Sequence, residues 1–266
     1  MRPTFPKGIK HKIRQIVRVN LAGEFAAKEI YERQLFELAS YNDAIKMQSY
    51  NFSHLVQEPD IHHAQLEKIQ DMLDQELKHF EYFKHISKSL NISPSLMMSI
   101  WKHMSKFIAK YSLDISNLEN TFIHDYNIKA QHFFQKDFSR SFFQSFFTGA
   151  MKATESIEKV IIEHYKNQLN YLRSMKKLMH SNSNRELEQI FFVIKELEIH
   201  IEKFLADELE HFEVARDEIN DSHNQSLNSI NNHALANKAW SRKAKSVFYK
   251  FIEVGCRIAI SISNKI

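Results

Sequence analysis

The chain has 266 residues, 43% hydrophobic and 26% charged, with a formal net charge of +4. Four Gly and four Pro are too few for a β-rich fold, whose turns are built mainly from those residues, so an all-α chain of long helices is expected. One cysteine excludes an intramolecular disulfide and any multi-cysteine zinc or iron–sulfur site; the thin, scattered Lys/Arg excess argues against a nucleic-acid partner and permits attraction to an anionic membrane surface.

The opening stretch, MRPTFPKGIKHKIRQIVRVN, is basic and lacks the apolar core of a secretory signal. Helical periodicity starts near Ile13 and runs through EFAAKEIYERQLFELAS to about residue 40. A mixed segment follows, with Pro59 marking a boundary. AQLEKIQDMLDQELKHFEYFKHI is a second amphipathic helix, ended by SLNISPS, and Pro94 opens the apolar and basic SLMMSIWKHMSKFIAKY. Residues 112–140 show no clean period. Helix resumes near Phe142 and continues through AMKATESIEKVIIEHYKNQLNYLRSMKKL to the loop HSNSN. RELEQIFFVIKELEIHIEKFLADELEHFEVARDEI is the next helix, followed by a polar joint, NDSHNQSLNSINNH, and the apolar AKSVFYKFIEVGCRIAISISNKI. No uncharged apolar run reaches the length of a bilayer span, and no linker separates two halves, so residues 1–266 read as one domain.

Chemistry is concentrated in two Glu-x-x-His pairs, Glu76/His79 and Glu208/His211. On a helix that spacing leaves the two side chains about 60° apart on one face. With 15 His in the chain, a single such pair means little. The order of carboxylates around them is more informative. Ferritin-like dimetal proteins take one Glu from each of two helices and a Glu-x-x-His from each of the other two. Here Glu24 precedes Glu76 by 52 residues and Glu158 precedes Glu208 by 50, as an internal repeat of helix pairs requires. Four carboxylates balance two divalent ions, and two imidazoles favour iron or manganese over magnesium or calcium. The plain alternatives are solvated Glu paired with Lys one turn on, hydrogen-bonded His, and Tyr31, Phe80 and Phe212 as core filler.

At these residues the sequence resembles the demethoxyubiquinone hydroxylase (Coq7) family. RVNLAGEFAAKEIYERQ is similar to its N-terminal motif, IQDMLDQELKHF to its first Glu-x-x-His segment, GAMKATESIEKVIIEHYKNQL to its third helix, DELEHFE to the fourth, and GCRIAISISNKI to its C-terminus. The resemblance implies a ferritin-like four-helix bundle with additional membrane-interface helices. It implies two iron ions held by Glu24, Glu76, His79, Glu158, Glu208 and His211, with Glu76 and Glu208 bridging, and His164 and Tyr165 near the substrate or electron path. The implied activity is hydroxylation of a polyprenylated methoxy-benzoquinol in ubiquinone synthesis, with O2 as co-substrate and NADH as electron donor; a ferritin-like iron-storage or peroxide-scavenging protein is the alternative. Implied partners are the quinol, a membrane surface and a lipid-binding accessory protein, with a homo-oligomer left open. The implied place is the cytoplasmic face of a bacterial inner membrane, or else the matrix face of the mitochondrial one. Leu21 departs from the family's His, and extra length falls near 40–63, 110–145 and 178–192. Asp207, four before His211, is a candidate acceptor for an imidazole N–H.

Overall fold

A computed structural model describes residues 7–50, 61–95, 97–116, 135–179, 185–227 and 235–263. Among the described residues the chain forms six helices and no strand: α1 (Lys7–Tyr50), α2 (Ile61–Ser89), α3 (Met97–Ser116), α4 (Gln135–Met179), α5 (Arg185–Leu227) and α6 (Leu235–Ser263). Several helices outrun the apolar periodicity that announces them. α1 continues to Tyr50, α4 begins at Gln135 rather than near Phe142, and α5 runs to Leu227 through half of the expected polar joint. Those added stretches carry no Gly or Pro, so a helix already nucleated on its apolar face propagates through them at little cost. Pro59, the HSNSN loop and much of the three expected insertions lie outside the described residues.

α2 ends where SLNISPS predicts. Asn91 adopts a left-handed conformation (φ 52°), which Asn tolerates better than most residues. Ile92 N–H then bonds Ser87 C=O at 2.8 Å and Asn91 N–H bonds Lys88 C=O at 3.1 Å, satisfying two carbonyls that a helix end leaves without partners. Arg18 on α1 donates through Nε to Ser93 C=O at 3.2 Å, tying this turn to the neighbouring helix.

Contacts of α1 with α2, α4 with α5, α1 with α4, and α2 with α5 close a ring of four helices. Ring neighbours are antiparallel. Ile13, Phe83, Leu172 and Ile190 meet in one apolar cluster, and Leu38, Ile69, Phe143 and Ala215 meet in another. Each fully buried Leu, Ile or Phe among them contributes about 1.5–3 kcal/mol by leaving water. The polar groups of interest lie between the two clusters. α3 and α6 lie on the α1–α4 side of the ring and touch each other. Trp101, Ile108, Tyr249, Ile252 and Cys256 pack there against Ile157 and against Ala22, Ala26 and Ala153, three small residues that admit close helix approach. Tyr249 OH reaches Ser112 C=O at 3.4 Å, linking α6 to α3.

Candidate metal centre

Each of the four ring helices turns acidic side chains inward at mid-length: Glu24 from α1, Glu76 from α2, Glu158 from α4 and Glu208 from α5. His79 and His211 stand one turn beyond the carboxylates of α2 and α5, on the same faces. All six are 2% exposed or less. They fall into two groups, Glu24–Glu76–His79–Glu208 and Glu76–Glu158–Glu208–His211, each with one ligand atom per residue within 4.8 Å of the others. Glu76 and Glu208 belong to both.

Distances show why the two are shared. Glu208 Oε1 is 3.4 Å from His79 Nδ1, while its Oε2 is 3.4 Å from His211 Nδ1. Glu76 Oε2 is 3.8 Å from His79 Nδ1 and its Oε1 is 3.4 Å from His211 Nδ1. Glu24 Oε2 lies 3.5 Å from His79 Nδ1, and Glu158 Oε1 lies 3.9 Å from His211 Nδ1. Both oxygens of Glu76 and Glu208, one each of Glu24 and Glu158, and Nδ1 of both histidines are buried with no hydrogen-bond partner. Buried polar atoms are seldom left so. Donors that share an ion at roughly 2.1 Å lie roughly 3–4 Å apart, so the separations fit cations between them. The donor set, oxygen-rich with two imidazoles, suits iron or manganese.

Electrostatics agree with that fit. Burial, then the Glu208 charge, holds the Glu76 and Glu158 carboxyls well above the usual range. Burial opposes charge on the imidazoles, but the surrounding carboxylates outweigh it and raise His79 to about 12 and His211 to about 10. The cluster therefore retains protons where it lacks other positive charge.

The outer contacts cross between helices. Tyr31 on α1 donates to Glu158 Oε1 on α4 at 2.6 Å, and Tyr165 on α4 donates to Glu24 Oε1 on α1. Burial, reinforced by these carboxylates, pushes both phenols well above their ordinary value, so both remain donors. Asp207 accepts from His79 Nε2 at 3.0 Å, not from His211 on its own helix. His211 Nε2 lies 2.9 Å from Gln75 Oε1 on α2. Tyr31, expected as core filler, is thus a partner of Glu158. It follows Glu24 by seven residues, as Tyr165 follows Glu158, and that equal offset was the signal for it. Phe80 packs against Phe25, both partly buried at the margin of the core.

Of the two expected substrate-side residues, Tyr165 reaches the cluster and His164 does not. His164 instead lines an open cavity of about 460 Å³ with Lys12, Ile16, Val160, Gln168 and Arg257. Asn20 and Gln168 exchange amide hydrogen bonds at 2.9 and 2.7 Å, and Gln168 Nε2 lies 2.6 Å from His164 Nε2. Burial, helped by Lys12, lowers His164 to about 4. Because this lies below its ordinary value, His164 adds stability above about pH 6.5 that is lost as pH falls through about 4. In the metal-free protein, urea unfolding at pH 5 rather than 7.5 should show a His164-dependent loss on the order of 2 kcal/mol. His164→Gln should remove that part of the slope; equal slopes in the two proteins would refute it.

A ring of four antiparallel helices around buried Glu and Glu-x-x-His groups is the ferritin-like helical bundle. Within that class the chain belongs to the COQ7 family: the family model described as "Ubiquinone biosynthesis protein COQ7" matches residues 11–113 and 148–263. It is 26% identical over 201 residues to the "5-demethoxyubiquinone hydroxylase, mitochondrial" of Saccharomyces cerevisiae, covering 76% of this chain and 64% of that protein. It is 26% identical over 202 residues to the "NADPH-dependent 3-demethoxyubiquinone 3-hydroxylase, mitochondrial" of Dictyostelium discoideum, covering 76% and 62%. The human protein of the latter name is 22% identical over 252 residues, covering 95% and 77%. The chain thus spans just under two thirds of the length of the first two relatives.

Proposed function

We propose that the chain is a diiron monooxygenase that hydroxylates a polyprenylated methoxy-benzoquinol in ubiquinone biosynthesis. The observation that carries this reading is the buried six-residue cluster whose unpartnered donor atoms divide into two groups sharing Glu76 and Glu208. Glu24 and His79 would serve one ion, Glu158 and His211 the other, with Glu76 and Glu208 between them. Two iron ions held there would supply the electrons and Lewis acidity that activate dioxygen.

The chain's own residues do the rest. Tyr31 and Tyr165 hold one oxygen of Glu158 and of Glu24, and the other oxygen of each is buried without a hydrogen-bond partner. Apolar clusters on either side keep bulk water away, which strengthens every charge interaction inside. Ile16 and Val160 offer apolar wall to a quinol ring in the cavity, and His164 and Gln168 offer polar partners for its oxygens. The Dictyostelium discoideum and human relatives are named for NADPH, so the expected NADH is widened to a reduced nicotinamide as electron source.

A polyprenyl tail puts the substrate in a bilayer, and among the described residues no helix is long and apolar enough to cross one. Peripheral docking is assigned to α3 and α6 on the strength of their exposed faces. Opposite its core face, α6 exposes Val247, Phe251, Val254, Ile258 and Ile262, and α3 exposes Ile100, Phe107 and Tyr111. Both stripes are at helical spacing and are flanked by exposed Lys243, Lys250, Lys106 and Lys110, the pattern of helices lying in a membrane interface. Phe251→Ser with Ile258→Ser should lower co-sedimentation with anionic vesicles about tenfold or more, with unchanged helicity; undiminished sedimentation would count against docking here. The compartment is proposed to be one whose inner membrane carries the quinone pool, mitochondrial in the named relatives. A lipid-binding accessory protein and self-association are proposed as well, to be tested by co-purification and by sedimentation velocity.

The test of activity is complementation of a strain blocked at demethoxyubiquinol hydroxylation. Restored ubiquinone, read by mass spectrometry, is expected. Accumulated demethoxy-quinone with the protein expressed and iron-loaded would overturn the reading.

A further inference from the structure

Nearly every polar contact in the cluster has a twin. Glu24 and Tyr31 on α1 correspond to Glu158 and Tyr165 on α4, and the two tyrosines bond across to each other's glutamates. Glu76 and His79 on α2 correspond to Glu208 and His211 on α5. The residue just before each shared glutamate accepts from the histidine of the opposite helix. At this position alone the twins differ in charge: it is Asp207 on α5 and Gln75 on α2. His79 therefore leans on a carboxylate, at 3.0 Å, and His211 on a neutral amide, at 2.9 Å. Their ring neighbours differ too, Phe204 for His79 and Tyr31 for His211, but neither of these adds a charge.

Building on the dimetal reading above, we propose that the two positions hold their ions unequally, the Glu24–His79 position more tightly than the Glu158–His211 position. A hydrogen bond to an ionised acceptor is about twice as strong as one to a neutral group. It draws the Nε2 proton toward Asp207 and leaves Nδ1 the better electron-pair donor. Exchanging such an outer partner typically changes metal affinity about 10–100-fold. Asp207 also brings a further negative charge to that side. Its side chain is 25% exposed, so its effect travels mainly through the hydrogen bond and less through the field.

The experiment is a titration of the metal-free full chain with Co(II), read by calorimetry and by the visible absorption of the bound ion. Wild type should take up two ions in two steps about tenfold or more apart. Asp207→Asn leaves an amide under each histidine; the tight step should weaken about 10–100-fold and merge with the weak one. Gln75→Glu should instead strengthen the weak step by about tenfold and leave the tight one in place. Should Asp207→Asn fail to fold, Gln75→Glu decides by itself. Uptake of fewer than two ions overturns the dimetal reading and this inference with it. Two ions bound in one unresolved step, or two steps that neither variant moves, overturn the inequality alone and leave the dimetal reading standing.

Discussion

Glu208→Ala is expected to empty both metal positions at once and to lower hydroxylation by at least about 10³-fold, since a catalytic metal contributes several kcal/mol and 1.36 kcal/mol is tenfold. The reason is its reach. One oxygen of Glu208 faces His79 and the other faces His211, each at 3.4 Å, and both are buried without another partner. Glu24→Ala should do less, because Glu24 belongs only to the group containing His79. Iron per chain, measured after anaerobic loading and desalting, should fall from about two toward zero for Glu208→Ala and toward one for Glu24→Ala. Removing Glu208 lifts its charge off Glu76 and Glu158 but also takes a carboxylate partner from both imidazoles, so helicity is checked by circular dichroism beside the metal count. A Glu208→Ala protein that retains two irons would refute the shared role.

Metal removal should have the second largest effect, and its sign follows from the same crowding. Without cations, Glu76 and Glu158 resist ionisation because burial and the neighbouring Glu208 charge oppose it, and the cluster contributes little to stability. A ligand at about 1,000 times its dissociation constant adds about 4.1 kcal/mol. For a chain of this size each kcal/mol moves the melting temperature by about 2–4 °C. Saturating Fe(II) under argon, or Mn(II) in air, should therefore raise the midpoint by about 8–16 °C. Glu208→Ala should show almost none of this rise, which separates binding at the cluster from weak binding elsewhere. A wild-type midpoint that ignores both metals would refute the prediction.

Much of the centre was legible because it is periodic. Glu24, Glu76, Glu158 and Glu208 stand at near-equal gaps, and the i to i+3 spacing of Glu76/His79 and Glu208/His211 survives any uncertainty about helix ends. The structure brings all six into one cluster. Tyr31 was less visible, because an apolar ring on a buried stripe reads as packing until its hydroxyl finds Glu158 on another helix. Asp207 read as a partner for an imidazole, but local spacing favoured the one on its own helix, and only the antiparallel meeting of α2 and α5 gives it to His79. Helix lengths were underestimated for a related reason. Apolar periodicity reports where a helix is buried, and the stretches that carry α1 to Tyr50 and α5 to Leu227 have a mixed or polar sequence with no clean apolar period.

The crossed tyrosine contacts have a meaning beyond the centre itself. Seen along the axis between α1 and α4, Tyr31 on Glu158 and Tyr165 on Glu24 are one contact met twice, as at an isologous dimer interface. The chain is in this sense a two-fold dimer whose subunits have been joined. A true dimer of identical halves must repeat every residue on both sides of its axis. A single chain is free of that constraint and sets Asp207 beneath one imidazole and Gln75 beneath the other.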